Sequence, residues 1–286
     1  MSSPNQRLDL LRREIDEIDD AIHDLIVKRG TIVEDIRKIK KQSGSALRPG
    51  REATILRRIS AKHQGAFPLP ALISLWREMM GGFTHMQQPF SCAVFAPDGN
   101  HRLNRLARNH FGSLTPLNAM PTGSACVRAV ADGVTDVAIL PVPIDGESEA
   151  WWTLLMGDDA KAPKVVARLP FVGEDDDDEA LVISPWARDY SEVELSLIAI
   201  RLGERTSRSR IIGVMVSAGF LDPVHLAAKE TNPEDCCHLI EVVGISEALD
   251  QPKASLAKQF GDVLIEAHVI GGYARPLALS SNTGKN

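Results

Sequence analysis

The chain has 286 residues, 44% of them hydrophobic, enough for two or three domains with cores of their own. A formal charge of -6 at pH 7 excludes a general attraction to nucleic acid or anionic membranes. No apolar run approaches the roughly 20 residues of a membrane span, and the N-terminal MSSPNQRLDLLRREID lacks the apolar centre of a secretory signal. The four cysteines (Cys92, Cys126, Cys236, Cys237) form no CxxC pair, and the eight histidines are scattered without HExxH. A cytoplasmic protein with no disulfide framework, no metal and no other cofactor is expected.

Residues 1–90 read as helical. Leu8, Leu11, Ile15, Ile18, Ile22, Leu25, Ile32 and Ile36 follow one another mostly three or four apart, and only Gly30 interrupts the run from Gln6 to Lys41. At about 1.5 Å per residue this helix exceeds 50 Å, about twice the 25–30 Å width of a compact 90-residue domain. It must project, and its seam needs a partner, most simply a second copy of the chain. After SGSALRPGRE, Pro49 suits the first turn of a second helix through REATILRRISAKH. GAFPLP breaks that helix, and a third, ALISLWREMMGGFTHMQQ, ends before Pro89.

Residues 91–189 alternate. SCAVFAP reads as a strand, HRLNRLARNHF as a helix, LTPLNAM as a strand and GSACVRAVADG as a helix. TDVAILPVP follows as a strand, SEAWWTLLM as a helix, and KVVARLPFV and EALVISPW as strands. This pattern predicts an α/β layer with a mostly parallel sheet. The acidic run Glu174 to Glu179 reads as a solvated loop, with a cation or basic-partner site as the minority alternative. Residues 190–278 give βαββαβ, the ferredoxin-like order, and LSSNTGKN at 279–286 reads as a flexible tail.

The first segment carries the chemistry. On a helical wheel Arg29 and Lys40 are eleven residues apart and differ in direction by only about 20°. They share the face of Ile22 and Ile36, about 16 Å apart along the axis. Arg12 points about 100° away from Arg29, so it reaches that pocket only from the second chain of an antiparallel dimer. The second helix opens with Arg48, Arg51 and Glu52, although arginines oppose the macrodipole there. Gln87 follows Trp76, Met80 and Phe83 on the apolar face of the third helix, where a buried amide needs a partner. Singly, Arg29 or Lys40 reads as a snorkelling cation, Arg51 with Glu52 as a solvated ion pair, and Gln87 as an amide framing a core water. Together they line a cationic pocket for a small, multiply anionic substrate, since arginine reads carboxylates with two parallel hydrogen bonds. No Ser/His or Cys/His pair and no glycine-rich phosphate loop accompanies them. The chemistry expected is positioning and charge stabilisation without covalent attack.

The stretches LRREIDEIDDAIHDLIVKRGTIVEDIRKIK, RPGREATILRR and LWREMMGGFTHMQ closely resemble the all-helical chorismate mutases over about 90 residues, in spacing as well as residue type. The resemblance implies an intertwined helical homodimer that rearranges chorismate to prephenate. It implies that Arg29 and the partner chain's Arg12 hold the two carboxylates. Lys40 and Gln87 would donate to the ether oxygen, and Glu52 would accept from the substrate hydroxyl with Arg51 beside it. Two positions depart from the family. Arg48 stands about where an aspartate is frequent, and Phe83 stands four before the catalytic amide, where serine is common. An isochorismate–pyruvate lyase uses a similar pocket and is the rival within enzymes. A regulatory pseudoenzyme docking on another shikimate-pathway enzyme is the rival outside them.

The rest of the chain resembles a bifunctional chorismate mutase–prephenate dehydratase less faithfully. VRAVADGVTDVAILPVP is similar to the dehydratase stretch ending Pro-Ile-Glu-Asn, but Pro143 stands in place of the glutamate. DEALVIS occupies the place of Thr-Arg-Phe. The implied middle segment is a degenerate lobe that has lost dehydratase activity. The last segment resembles an ACT domain, which implies an amino-acid effector, although TSRSRIIG and LAAKE replace its phenylalanine signatures. The expected fold is multidomain: an all-α intertwined dimer domain (1–90), a small α/β lobe (91–189) and an α+β ferredoxin-like, ACT-like domain (190–278).

Overall fold

The computed structural model describes residues 3–39, 46–157, 162–173, 178–185, 191, 194–232, 235–244 and 251–278. The predicted tail and Glu174 to Asp177 of the acidic run lie outside them, as does Lys40.

Three helices open the chain: α1 (Pro4–Ile39), α2 (Pro49–Lys62) and α3 (Leu69–Gln87). The 36 residues of α1 make a rod of about 54 Å. Its predicted stripe, Leu8 through Ile36, is between 42 and 66% exposed at each of its eight positions. Only Gly30 of α1 is buried, because α1 crosses α3 there, against Phe83 and Met86. Pro49 begins α2, as its fixed φ favours, and Pro68 precedes α3. Ala53 and Leu56 of α2 pack with Ile73 and Met80 of α3, and Phe171 and Ala274 from the later segments close this small core.

Gly81 sets how α3 meets the next segment. A Cβ at this position would lie 2.2 Å from the Phe111 carbonyl oxygen, a backbone atom that cannot swing away. Gly81→Ala is therefore expected to destabilise by about 1–3 kcal/mol, the usual cost of overpacking, despite the better helix propensity of alanine. A urea midpoint equal to or above that of the parent chain would contradict this reading.

The second segment comprises β1 (Cys92–Phe95), α4 (Arg102–Phe111), β2 (Leu117–Met120), α5 (Gly123–Ala131), β3 (Val137–Pro141), β4 (Lys164–Leu169), β5 (Val172–Gly173) and β6 (Ala180–Ser184). Alternate residues of each strand serve opposite faces. Cys92, Val94, Val137 and Ile139 pack under Leu103, Leu106 and Phe111 of α4, while Ala93, Ala138 and Leu140 pack under α5. The expectation of a mostly parallel sheet is corrected. β1 pairs in parallel with β2 and β3, but β6 runs antiparallel to both β3 and β4. Helical crossovers serve only the first three strands, and the short return from β4 to β6 permits only the antiparallel direction. The predicted helix SEAWWTLLM is also corrected: it is a single 3-10 turn, Trp151–Leu155. Both indoles are buried and anchored, Trp151 Nε1 donating to the Pro141 carbonyl and Trp152 Nε1 to Glu147, each at 3.2 Å. All four cysteines are buried free thiols, and burial raises the pKa of each.

The third segment comprises β7 (Glu194–Leu202), α6 (Arg208–Ser217), β8 (Leu221–Asn232), β9 (Asp235–Val243), α7 (Pro252–Phe260), β10 (Leu264–Ala274) and β11 (Leu277–Ala278). The order β10-β7-β9-β8, antiparallel throughout, is the predicted ferredoxin-like arrangement. Helices α6 and α7 cover one face through Ile211, Met215, Leu256 and Phe260. The other face, with Leu197, Ala199, Leu239 and Ile270, joins the core around Trp151 and Trp152. The two sheets are continuous. β10 pairs with β4 at Gly271 and Val165, giving one nine-stranded sheet across both segments. Gly271 has φ +136°, and a Cβ there would fall 2.2 Å from the Val165 oxygen, so this seam requires glycine.

Two histidines meet between β8 and β9. His225 Nε2 lies 3.1 Å from His238 Nδ1, and the outer nitrogen of each ring is buried without a hydrogen bond. Burial, the neighbouring His225 and Arg208 bring His238 down to about 4, against a partial offset from Asp145. Burial and Arg208 also lower His225. An unfolded histidine titrates near 6.5, so between those values the unfolded chain binds more protons. Stability is therefore expected to fall as pH drops from about 6.5 to about 4, with no further contribution from His238 below that range. A His238→Asn variant should show a shallower fall of melting temperature over the same range; an unchanged slope would place the acid sensitivity elsewhere.

Candidate active site

Two of the predicted residues, Arg29 and Gln87, lie at the crossing of α1 and α3. Gly30 faces Phe83 and Met86 at that crossing, and the neighbouring Arg29 lies over the ring of Phe83, with its guanidinium carbon 4.3 Å from the centroid. Arg29 is half-buried, and its Nη1 is enclosed without a hydrogen-bond acceptor. Burial, and then the nearby charge of Arg51, lower its pKa, yet a guanidinium stays charged at neutral pH. An enclosed cation facing a second cation, with a donor unspent, is an arrangement that an anion completes.

Gln87, one turn beyond Phe83, is half-buried and donates from Nε2 to the Phe83 carbonyl at 3.2 Å. An amide nitrogen carries two hydrogens, so one remains for a ligand. Arg48 precedes α2 and Arg51 lies in its first turn; both are exposed. Arg12 lies well away along α1, exposed and paired with Asp9 at 3.3 Å. Within one chain, Arg29 and Gln87 both meet Phe83 and Arg51 lies close enough to act on Arg29, while Arg12 lies seventeen residues before Arg29 on the same helix.

Glu52 is not simply waiting for a hydroxyl. Its Oε2 accepts from Arg77 Nη1 at 2.6 Å, with the two side chains only 14% and 7% exposed. Arg77 escaped the sequence reading. It sits four residues after Ile73 and three before Met80, a cation on an apolar stripe, which is the same signal that singled out Arg29. Arg77 fixes the Glu52 carboxylate in place through a short, nearly buried charge-assisted hydrogen bond.

In the middle segment, Thr122 caps α5 through the Ala125 amide. The carboxylate of Glu149 fills the rest of that helix terminus, accepting from the Gly123 and Ser124 amides at 2.8 and 2.6 Å. Burial works against ionised Glu149, but these donors outweigh it and hold its pKa down. The loop carrying Glu149 is tied to the third segment. Asp145 accepts from Arg208 and from the Ala228 amide, and Lys229 Nζ donates to the carbonyls of Glu147 and Ser148. The last five residues of DEALVIS form β6, buried from Ala180 to Ser184 in the middle of the sheet. Asp178 and Glu179, the described end of the acidic run, pair within the chain with Arg102, Arg105 and Arg168. Among the described residues no cluster of three or more His, Cys, Asp or Glu could hold a metal, and no helix is long and apolar enough to cross a membrane.

Comparison with known proteins identifies the class. Residues 11–88 match the family chorismate mutase type II, and the chain carries a domain of that family. Among curated relatives, the bifunctional chorismate mutase/prephenate dehydratase of Pseudomonas aeruginosa is 29% identical over 154 residues, 52% of this chain and 42% of the relative. The enzyme of the same description from Neisseria gonorrhoeae is 31% identical over 143 residues, 50% of this chain and 39% of the relative. The matched stretches are longer than the mutase domain, so they extend beyond it, and they span about two fifths of the relatives' length. Among solved structures, prephenate dehydratase from Streptococcus mutans aligns with TM-score 0.45 and 16% identity, covering 66% of this chain and all of that one.

Proposed function

We propose that this protein is a chorismate mutase of aromatic amino-acid biosynthesis, active as a homodimer built on α1. The observation that carries the proposal is Arg29, a charged group enclosed at the α1–α3 crossing with Nη1 unspent and no acidic partner among the described residues. The type II mutase match over residues 11–88 supports the choice of reaction.

Chorismate carries two carboxylates. Arg29 holds one, and Arg12 of the second chain reaches the other across the apolar stripes of the two α1 helices. In the rearrangement the C–O bond breaks as the C–C bond forms, and the ether oxygen gains negative charge. Lys40 and the spare N–H of Gln87 donate to that oxygen, where preorganised donors act most strongly. Glu52, fixed by Arg77, accepts from the substrate hydroxyl, with Arg48 and Arg51 making the pocket mouth cationic. No proton need leave the protein and no covalent intermediate is formed. The site acts by holding a compact conformer and stabilising charge.

The middle segment serves as a spacer without dehydratase activity. Glu149 takes up the amides of the α5 terminus, and the place of the Thr-Arg-Phe motif is a buried structural strand. The C-terminal segment has the ferredoxin-like order of an ACT domain and is the proposed seat of an amino-acid effector.

One assay tests the whole reading. The chain is given chorismate, and separately isochorismate, with and without phenylalanine, tyrosine or tryptophan, and the products are identified. Prephenate is expected to accumulate without conversion to phenylpyruvate. Because Gln87 is a neutral amide, the rate should change little between pH 6 and 8. Pyruvate released from isochorismate would favour the lyase. No turnover of either substrate would favour the pseudoenzyme, and a steep loss of rate over that pH range would replace Gln87 by an ionising donor.

A further inference from the structure

A second cavity, of about 250 Å³, lies where α3 meets α4 and the loop after β4. Its lining includes Ile73 and Arg77 of α3, Arg105 and His110 of α4, and Phe171 and Asp178. Arg77 lines it while bonding Glu52, so one buried guanidinium touches both the cavity and that carboxylate.

Arg77 is 6% exposed. A guanidinium has five N–H donors, and the hydrogen bond recorded for Arg77 is the one from Nη1 to Glu52. The Phe171 ring stands 5.8 Å from its central carbon. Burial, and then the charge of Arg77, hold His110 far below the usual imidazole pKa, so that ring is neutral and adds no second charge. Arg105 stands exposed at the mouth, 3.4 Å from Asp178. Ile73, Leu106 and Phe171 supply apolar wall, and Ser74 and Asn109 add neutral polar groups.

We propose that this cavity binds a small organic monocarboxylate with an apolar body, and that its occupancy tunes the mutase site through Arg77. The carboxylate meets the donors of Arg77 and, at the mouth, Arg105, which is the geometry a guanidinium reads best. The apolar body lies against Ile73, Leu106 and Phe171. Asp178 lines the cavity and Glu52 is bonded to Arg77, so a second negative charge on the ligand would be repelled; this excludes a dianion such as the mutase substrate. Arg77 is here a positioning residue. A ligand carboxylate that draws on its charge loosens Glu52, the proposed hydroxyl acceptor. The binding claim stands alone, whereas the coupling claim rests on the mutase reading.

The test titrates the full chain with 3-phenylpropionate by calorimetry. One saturable site per chain is expected, with 3-phenylpropan-1-ol, which lacks the charge, weaker by about tenfold or more. Ser74→Trp blocks the rim from an exposed helical position, and Arg105→Met removes the cation at the mouth. Each should weaken binding by about tenfold or more, while Arg29→Ala binds like the parent. Absence of saturable binding overturns the proposal. So does binding that survives both rim variants and is lost in Arg29→Ala, because the probe then sits in the mutase pocket. A rise in KM for chorismate with the probe present, abolished by Ser74→Trp, supports the coupling, and an unmoved KM overturns it. A parent chain that binds the probe but leaves chorismate untouched would overturn the mutase reading and keep the site.

Discussion

Arg29→Ala is expected to lower kcat/KM for chorismate by roughly a few hundred- to a few thousand-fold. This corresponds to the about 3–5 kcal/mol lost when one member of a buried charge pair is removed. The substrate carboxylate would enter a pocket whose anchor is gone, and the residue taking up the space cannot solvate it. The fold should survive the change. Arg29 is half-buried, and its recorded contact within the chain is the face of Phe83, worth about 0.5–1 kcal/mol at such a site. Activity and stability thus separate: a large kinetic loss accompanies a shift of only a few degrees in melting temperature, roughly what 1 kcal/mol gives. Arg29→Lys sharpens the test. It keeps the charge but loses the planar fork and the stacking on Phe83, so it should recover only a small part of the activity. Full activity in Arg29→Ala would remove Arg29 from the site.

Phe83 gives this pocket its particular character. The resemblance sets a polar residue there, and a polar residue would offer the substrate another hydrogen bond. Phenylalanine offers a surface instead, and the guanidinium lies on it at 4.3 Å. The ring orients the fork before the substrate arrives, which reduces the rotamer entropy lost on binding. In the proposed site, one contact to substrate is exchanged for preorganisation of another.

What could be read from the sequence divides along physical lines. The long helix was legible because an apolar period of three and four over some thirty residues has no competing interpretation, and α1 spans Pro4–Ile39 as expected. The ferredoxin-like order was legible because clear turns separate segments of distinct strand or helix pattern in the order βαββαβ. Arg29 and Gln87 were legible as polar groups on apolar faces, and the structure places both beside Phe83. Arg77 carried the same signal but was passed over, since a cation followed by Glu78 in a helix reads as surface charge. The partner that explains it, Glu52, is 25 residues away, and only the packing of α2 on α3 brings them together. The direction of β6 could not be read, because strand direction depends on which neighbour the chain returns to and not on composition. The 3-10 turn at Trp151 was misread for a related reason. Two indoles anchored by Pro141 and Glu147 decide its geometry, against a local pattern suited to a longer helix. The continuity of the sheet across Gly271 was invisible, since a single glycine in a strand does not announce what approaches it.

The dimer can be tested through the chemistry itself. If each site takes Arg29 from one chain and Arg12 from the other, Arg12→Ala and Arg29→Ala chains should each be nearly inactive alone. Mixing them after unfolding and refolding should restore activity. In a mixed dimer, one site receives Arg29 from the Arg12→Ala chain and Arg12 from the Arg29→Ala chain, and so is whole; the other site lacks both. Random pairing makes half of all dimers mixed, and half of their sites are intact, so about a quarter of the parent activity should return. The apolar stripe on α1 supplies the force for pairing: eight large side chains at 42–66% exposure are more than a soluble surface helix normally leaves to water. If Arg12 instead served its own chain, mixing would restore nothing, because each chain would carry one defective site of its own wherever it paired. Recovery near a quarter therefore separates a site shared between chains from two independent sites, without reference to the geometry of the dimer. A mixture no more active than its components would return Arg12 to the surface role that its pairing with Asp9 describes within a single chain.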